Sequence, residues 1–256
     1  MKTVLITGSS SGFGLETAKY FLSQGWKVIA TMRNPSDSLL PQSELLTLLP
    51  LDVTDINSIE QVVKLAGPID VLVNNAGIGM LGALEGTSAR DIQDVFATNT
   101  LGTIHMTKAF LPGFRLQKSG VIINVTSSVA LVPLPLLSVY TASKAAINAF
   151  SESLAIELEQ FNIRVNFVLP GRAPETQFGS NAQSRMKNAF PEPYSDLAKK
   201  VFNSWQEETK VTHIQDVIEA IWLAANDSSS PMKIIAGEDA KVLAQHTCNR
   251  SEYEND

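Results

Sequence analysis

The feature that most constrains the fold is a repeated alternation of short, β-branched apolar runs with longer amphipathic stretches. The short runs predict strands at 3–8, 26–32, 47–53, 69–77, 121–127, 163–171 and 232–237. The longer stretches predict helices at 13–25, from Asp55 onward, at 88–110, around Tyr140 and at 214–226. Because the strands are almost wholly apolar, both faces of their sheet must be covered. The alternation therefore predicts a doubly wound α/β fold with a parallel sheet, formed by one domain over residues 1–256.

Two segments fall outside this alternation. Residues 172–210 are richer in Pro, Asn and Ser, and we interpret them as an insert that covers the substrate. Residues 248–256 are polar and predict a frayed tail.

Charge and composition exclude several classes of protein. The net charge of −6, without a long run of one sign, argues against a nucleic-acid partner. The single cysteine, Cys248, rules out an intramolecular disulfide, and the scattered histidines show no metal-ligand spacing. No apolar stretch is long enough to span a bilayer, so we expect a cytoplasmic protein with no membrane partner.

A glycine-rich turn, TGSSSGFG at 7–14, joins the first predicted strand to the first predicted helix. Its glycines would let a diphosphate approach the main chain closely, and the helix N-terminus offers free N–H groups. This strand–turn–helix context indicates a Rossmann-type dinucleotide site. The contacts predicted in this turn are Gly8, Ser10, Ser11, Gly12, Phe13 and Gly14.

The end of the second strand bears on which dinucleotide binds. A carboxylate there would accept hydrogen bonds from the adenosine ribose, but the sequence has Thr31 and Met32, followed by Arg33. A guanidinium suits a 2′-phosphate. We therefore predict a preference for NADP(H) over NAD(H), with Arg33 and Ser11 at the phosphate; the alternative is that Arg33 is a solvated surface charge.

Tyr140 and Lys144 lie four residues apart on a predicted helix, so their side chains should share one face. An ammonium close to a phenol stabilises the phenolate and lowers the phenol pKa. Such a tyrosine becomes a usable proton donor or acceptor. The strand before this helix ends in Ser127 and Ser128, at the sheet edge where ligands of parallel sheets collect.

Over most of its length the chain resembles the classical short-chain dehydrogenases/reductases, including carbonyl reductases and hydroxysteroid dehydrogenases. The resemblance is carried by TGSSSGFG, LDV (51–53), NNAG (74–77), ATNTLG (97–102), YTASK (140–144) and LPG (169–171), in the family's order and spacing. It implies further cofactor contacts at Asp52, Val53, Asn75, Ala76, Gly77, Tyr140, Lys144, Pro170, Gly171 and Thr176.

The family pattern also implies roles for four catalytic residues. Its serine lies three residues after the strand asparagine and thirteen before the tyrosine, which selects Ser127 over Ser128. The implied chemistry is hydride transfer between a nicotinamide and a carbonyl or alcohol carbon. Tyr140 would exchange the proton, Ser127 would hold the substrate oxygen, and Lys144 would lower the tyrosine pKa. Asn99 would hold a water that connects the site to solvent.

Two departures from the family pattern stand out. Glu175 occupies the place where the family usually has a threonine, and Thr176 follows one residue later. The last predicted strand leads into GEDAKVL rather than the D-G-G ending of many members.

The apolar segment 130–139 flanks the predicted site and favours a hydrophobic substrate. Four aromatic residues of the 172–210 segment either cover it as a lid or serve packing in the core or a subunit interface: Phe178, Phe190, Tyr194 and Trp205. The resemblance further implies a homo-oligomer, a dimer or a tetramer.

The leading hypothesis is an NADP(H)-dependent carbonyl reductase. The alternatives are an NAD(H)-linked alcohol dehydrogenase and a regulator that senses NADP(H) without turnover.

Overall fold

The structure is a computed structural model that describes residues 1–186 and 189–253; the side chains of 184 and 246–253 are not described. Its strands are β1 (Thr3–Thr7), β2 (Lys27–Met32), β3 (Leu46–Pro50), β4 (Val71–Asn74), β5 (Gly120–Val125), β6 (Ile163–Pro170) and β7 (Lys233–Ala236). Its helices are α1 (Gly12–Ser23), α2 (Ile56–Ala66), α3 (Ala89–Phe96), α4 (Thr103–Gln117), α5 (Ser138–Leu158), α6 (Phe178–Ala182), α7 (Ser195–Glu207), α8 (Ile214–Asn226) and α9 (Glu238–Tyr253).

Among the described residues, the strands form one parallel sheet in the order β3-β2-β1-β4-β5-β6-β7. The order runs outward in both directions from β1 and β4, which makes the sheet doubly wound. All seven predicted strands are present, with ends displaced by up to three residues. The predicted fold class is thus confirmed.

The side chains of successive residues in each strand point to opposite faces of the sheet, as the two-residue period of a strand requires. Val4 and Ile6 pack toward one face, beneath α1 and α8, together with Phe21 and Ile221. Leu5 points to the opposite face, where α2, α4 and α5 cover the sheet. Both faces of the sheet are therefore buried, which explains why most strand residues are apolar.

The predicted helix at 88–110 proves to be three consecutive segments. α3 passes into a π-helical segment at Ala97–Gly102 before α4 begins. The hydrophobic pattern alone did not indicate this change of hydrogen bonding. Its consequence is that the side chain of Asn99 is buried beneath the site.

Sequence reasoning missed three helices, the short α6 and the longer α7 and α9. α7 lies within the 172–210 segment, and its inward residues Ala198, Val201, Phe202 and Trp205 follow the i, i+3, i+4, i+7 spacing that could have revealed it. α9 continues through part of the predicted frayed tail as far as Tyr253; residues 254–256 lie outside the described residues, and the fraying stays a prediction.

Candidate active site

The carboxyl ends of the strands open onto a cleft of about 1450 Å³. This volume exceeds the few hundred to one thousand Å³ typical of a pocket for one small ligand, which leaves room for a dinucleotide and a second molecule. Among the described residues, no group of three or more His, Cys, Asp or Glu is placed to hold a metal ion. In the same part of the chain, no helix is long and apolar enough to cross a membrane.

The glycine turn forms one end of the cleft. Gly8 and Gly12 have φ angles of +70° and +54°, which favour glycine. Among the described residues, no side chain caps the N-terminus of α1 and no acidic residue lies in its first turn. Its N–H groups and positive dipole end are therefore available to an anion in the cleft.

Thr7 and Asn75 hold this turn against the segment that follows β4. The Thr7 hydroxyl accepts hydrogen bonds from the main-chain nitrogens of Asn75 and Ala76, both at 3.0 Å. The Asn75 amide in turn donates to the carbonyl oxygens of Thr7 at 2.9 Å and Gly8 at 3.1 Å. Sequence reasoning did not single out Thr7, although it stands first in the quoted turn.

Gly14 is not among the residues that line the cleft, and its predicted contact with the cofactor stays a prediction. A Cβ atom on Gly14 would lie 2.4 Å from both the Asn75 amide nitrogen and the Gly8 carbonyl oxygen. This glycine is required for close packing of α1 against the turn.

The side of the cleft that follows β2 and β3 is lined by Arg33, Asp52 and Val53. Arg33 is exposed. Burial would raise the pKa of the Asp52 carboxyl, but hydrogen bonds from the Thr54 hydroxyl at 2.7 Å and nitrogen at 2.9 Å lower it, as does the charge of Arg33. The carboxylate of Asp52 therefore stays ionised beside the Arg33 guanidinium.

Ser127, Tyr140 and Lys144 meet at the middle of the cleft. Their exposed fractions are only 7%, 8% and 5%. The Ser127 hydroxyl lies close enough to the Tyr140 phenol to lower its pKa, and the Lys144 ammonium donates to the Val125 carbonyl at 3.0 Å. The residue at the phenol is therefore Ser127, as the family spacing indicated, while Ser128 is buried at the start of the next helical turn.

We expected Lys144 to lower the pKa of Tyr140, but in this structure the pKa of the phenol is raised. Burial raises the pKa of the Tyr140 phenol well above its ordinary value, and only the Ser127 hydrogen bond opposes that rise. Burial also lowers the pKa of Lys144 from 10.5 to about 8. Both groups are thus shifted toward their neutral forms, because a low-dielectric surrounding disfavours charge.

Asn99 does not line the cleft but lies directly behind it. Its side-chain oxygen accepts from the Ile78 nitrogen at 2.8 Å, and its amide donates to the Ile78 oxygen at 3.0 Å and the Ser143 hydroxyl at 3.1 Å. Both amide hydrogens are therefore used within the protein, so Asn99 joins the segment after β4 to α5. The predicted water relay stays a prediction.

Gly77 leaves space in front of these groups. A Cβ atom there would lie 3.3 Å from the Asn99 oxygen and 3.4 Å from the Lys144 nitrogen. A side chain at this position would crowd the ammonium, so glycine keeps the front of Lys144 open to the cleft.

The segment after β6 closes the cleft. Pro170, Gly171 and Thr176 all line it, as predicted. Thr176 lies against the glycine turn, since a Cβ on Gly12 would be 3.5 Å from its Cβ. Glu175, which takes the family's threonine position, points instead to His213, with an oxygen 2.6 Å from Nδ1. Sequence reasoning missed Arg172 and Asp239, which also line this part of the cleft.

Of the four aromatic residues proposed as a lid, Phe178 and Trp205 line the cleft. The Phe178 ring lies 5.9 Å from the Tyr140 ring, centre to centre. Phe190 and Tyr194 instead pack against the apolar cluster around Val201. Trp205 packs against the same cluster, so three of the four residues serve packing, and the lid stays a prediction.

Comparison with known proteins gives a consistent result. Residues 2–187 match the family model described as short chain dehydrogenase. The chain is 34% identical to human "Retinol dehydrogenase 8" over 91% of this chain and 80% of that protein. It is 37% identical to the "3-ketodihydrosphingosine reductase" of Bacteroides thetaiotaomicron over 94% of this chain and 89% of that protein.

Solved structures agree with these relatives. A short-chain dehydrogenase from Streptomyces avermitilis superposes with a TM-score of 0.85 at 32% identity, covering 99% of this chain and 94% of the other. The closed form of a serine dehydrogenase complexed with NADP+ superposes with a TM-score of 0.76 at 30% identity, covering 93% and 95%. The match over most of the chain, together with the cleft described above, shows that the protein belongs to the short-chain dehydrogenase family and is an NAD(P)-dependent oxidoreductase.

Proposed function

We propose that the protein uses NADP(H) to interconvert a hydrophobic ketone or aldehyde and the corresponding alcohol, with Tyr140 as the general acid and base. The observation that carries the proposal is the buried Ser127–Tyr140 hydroxyl pair, with Lys144 one helical turn away, in the same cleft as the uncapped N-terminus of α1. A site for anion binding and a site for proton exchange thus open onto one space.

The residues present fit a dinucleotide. The diphosphate would lie against the glycine turn, where positive φ angles and the absence of Cβ atoms at Gly8 and Gly12 bring main-chain N–H groups to the surface. The adenosine would lie near Asp52 and Val53. When bound, NADP(H) supplies or accepts the hydride at the substrate carbon.

In the reductive direction, the Ser127 hydroxyl holds the substrate oxygen and Tyr140 donates its proton to that oxygen as negative charge develops there. The raised pKa of Tyr140 keeps the phenol protonated at neutral pH, which suits proton donation. Donating the proton leaves negative charge on the phenol oxygen, which the ammonium of Lys144, held by the Val125 carbonyl, stabilises. In the oxidative direction, the ionised Tyr140 takes the proton of the alcohol and becomes neutral again.

A hydrophobic substrate is supported by the side chains that line the cleft near Tyr140. These are Met80, Leu81, Val129, Leu134, Leu137, Phe178, Met186, Phe202 and Trp205. Burying an apolar ligand surface against them is favourable by about 25 cal/mol per Å². Two relatives are named for retinol and 3-ketodihydrosphingosine, an alcohol and a ketone that each carry a large apolar part.

The preference for NADP(H) is supported by Arg33, which is exposed at the cleft where an acidic residue would favour NAD(H). Cofactor binding is measured by fluorescence titration with NADPH and NADH. We expect Arg33→Ala to weaken NADPH binding about tenfold while leaving NADH binding nearly unchanged. Arg90→Ala, which removes an exposed arginine of α3, serves as the matched control. Equal affinities for both dinucleotides in the wild-type protein would contradict this preference.

Turnover is tested with a panel of ketosteroids, retinal and aryl ketones, followed by loss of NADPH absorbance. Reduction of at least one apolar carbonyl compound is expected. Tight NADPH binding without turnover across the panel would contradict the proposed activity and favour a regulator that senses the dinucleotide.

Two coarser predictions accompany the proposal, a homo-oligomer and a cytoplasmic location. Light scattering of the purified protein tests for the dimer or tetramer, and fractionation of the source cells tests the location.

A further inference from the structure

The two places where the sequence departs from the family pattern are connected in the structure. Glu175 and Asp239, in the first turn of α9, are far apart in the chain, yet both contact the pair Thr212–His213 at the start of α8. Between them runs the segment 171–178, which carries Thr176 and Phe178 and is called the 171–178 loop below.

The first connection fixes the beginning of the 171–178 loop. The Asp239 carboxylate accepts from the Arg172 nitrogen at 2.6 Å and from the Thr212 hydroxyl at 2.7 Å. That hydroxyl accepts from the Gly171 nitrogen at 2.8 Å, and the Thr212 nitrogen donates to the Arg172 oxygen at 2.9 Å. The two N–H groups that directly follow β6 therefore depend on side chains 41 and 67 residues away in the chain.

The surroundings of this connection are tightly packed. Thr212 is fully buried. A Cβ atom on Gly171 would lie 2.1 Å from an Asp239 carboxylate oxygen, and one on Gly237 would lie 1.9 Å from the Thr212 hydroxyl. Since neither glycine has room for a side chain, both keep open the path along which the carboxylate and the hydroxyl reach the main chain.

The second connection holds the middle of the 171–178 loop. One Glu175 oxygen lies 2.6 Å from His213 Nδ1, and the other accepts from the Ile214 nitrogen at 3.4 Å. Glu175 stands directly before Thr176, whose side chain lies against Gly12 of the glycine turn. Phe178, three residues after Glu175, lies against the Tyr140 ring.

We propose that Thr212 and His213, with Asp239 and Glu175, form a two-point clamp that positions the 171–178 loop over the bound dinucleotide. The four are positioning residues, since they act through Gly171, Thr176 and Phe178. The clamp rests on the proposed function for its effect on the cofactor, and it explains how this chain dispenses with the family's usual threonine at 175.

Substitutions at Thr212 test the first point of the clamp. Thr212→Val removes the hydroxyl but keeps the shape, so the Gly171 nitrogen loses its acceptor; Thr212→Ser keeps the hydroxyl. We expect Thr212→Val to raise the Kd for NADPH about tenfold with kcat at saturating NADPH within about twofold, and Thr212→Ser to bind within about twofold of wild type. Limited trypsin digestion of the cofactor-free protein should show faster cleavage after Arg172 or Arg185 in the valine variant alone.

A lower Tm in Thr212→Val with unchanged NADPH affinity and unchanged trypsin cleavage would overturn the proposal, because a merely structural residue behaves in that way. If wild-type protein bound neither NADPH nor NADH, the proposed function would fail, while the trypsin comparison would still decide whether the clamp positions the loop.

The second point is tested with exposed residues, whose substitution leaves the core intact. Glu175→Gln, His213→Gln and the double variant form a double-mutant cycle for NADPH affinity. Each single change should raise the Kd about threefold, and the double variant should be no worse than either, since both changes break one ion pair. The exposed Asp196–Lys199 pair of α7, 3.5 Å apart, provides the control in Asp196→Asn/Lys199→Gln, which should leave the Kd unchanged. Unchanged affinity in Glu175→Gln and His213→Gln, or fully additive losses in the double variant, would refute the second point.

Discussion

The two sides of the cleft are held in place by different means. On the sheet side, the glycine turn follows directly from β1 and Ser127 lies just after β5, and the main chains of both strands pair along their length. On the loop side, residues 171–178 are held by side-chain contacts between distant parts of the chain, such as Asp239 with the Arg172 nitrogen and Glu175 with His213. The sheet side is therefore suited to hold the reacting groups, and the loop side to adjust what reaches them.

Side chains on the sheet side are also less exposed to solvent than side chains on the loop side. Tyr140 is 8% exposed, whereas Phe178, which lies against it from the loop side, is 40% exposed. A group enclosed by the core keeps one position and has a shifted pKa, while a half-exposed ring can be displaced by a ligand at low cost. If this contrast is right, changes on the sheet side should have larger effects than changes on the loop side.

The largest effect is expected from Tyr140→Phe, which removes only the phenol oxygen. Because no other group replaces the proton that this oxygen exchanges, kcat should fall about 10³-fold, whereas NADPH affinity should stay within about threefold of wild type. Steady-state kinetics and a fluorescence titration measure the two quantities. Tyr20→Phe, on α1 beside Trp222, is the matched control with near-normal kcat. Near-normal turnover in Tyr140→Phe would remove the basis for the sheet-side chemistry.

The next effect concerns the free energy of unfolding and the burial of Lys144. Its folded-state pKa of about 8 lies below its ordinary value of 10.5, so between these values the unfolded chain binds more protons and stability rises with pH. Relative to Lys144→Met, wild-type stability should gain about 2 to 3 kcal/mol between about pH 7 and about pH 10. Denaturant titrations at both pH values provide the measurement. If the difference in unfolding free energy between wild type and Lys144→Met did not change with pH, burial would not shift the pKa of Lys144.

A somewhat smaller effect is expected when alanine replaces one of two glycines with similar φ angles, because the loss of stability should differ between them. Gly8 has φ +70° and Gly25 has φ +74°, so alanine at either position is strained by about 1 kcal/mol. Only at Gly8 would the new Cβ collide, 2.8 Å from the Ala76 Cα, whereas at Gly25 no described atom lies within 4 Å. Gly8→Ala should therefore cost about 2 kcal/mol more than Gly25→Ala and weaken NADPH binding as well.

Denaturant titration and fluorescence titration of these two variants sharpen the comparison between the sides. Equal losses of stability would show that the turn has room to relax, and that the sheet side is less rigid than its packing suggests.

The smallest effect is expected on the loop side, from Phe178→Ala. Removing a ring that is two-fifths exposed should change KM for an apolar substrate by about threefold, with kcat within about twofold. Phe178→Leu, which keeps most of the apolar surface, is the matched variant and should remain close to wild type. A fall in kcat as large as that of Tyr140→Phe would break the proposed division between the two sides.

Much of the sheet side could be predicted because its signals are local. Apolar runs predict the strands, and the spacing of the glycines predicts the turn. The four-residue helical spacing predicts that Tyr140 and Lys144 share a face. What local reasoning missed depends on contacts outside the segment: Gly14 packs against Asn75, and the Asn99 amide is used by Ile78 and Ser143. The missed helix α7 is the exception, since its spacing was present in the sequence.

By itself, the sequence determined the parallel sheet, the place of the glycine turn and the common face of Tyr140 and Lys144, because each depends on residues a few positions apart. Only the tertiary structure decided that Glu175 turns to His213, that Asp239 holds the Arg172 nitrogen, and that burial raises the pKa of Tyr140. Those outcomes depend on which distant groups come within hydrogen-bonding distance and on how much water the packed core excludes. Neither quantity is encoded in any single stretch of the chain.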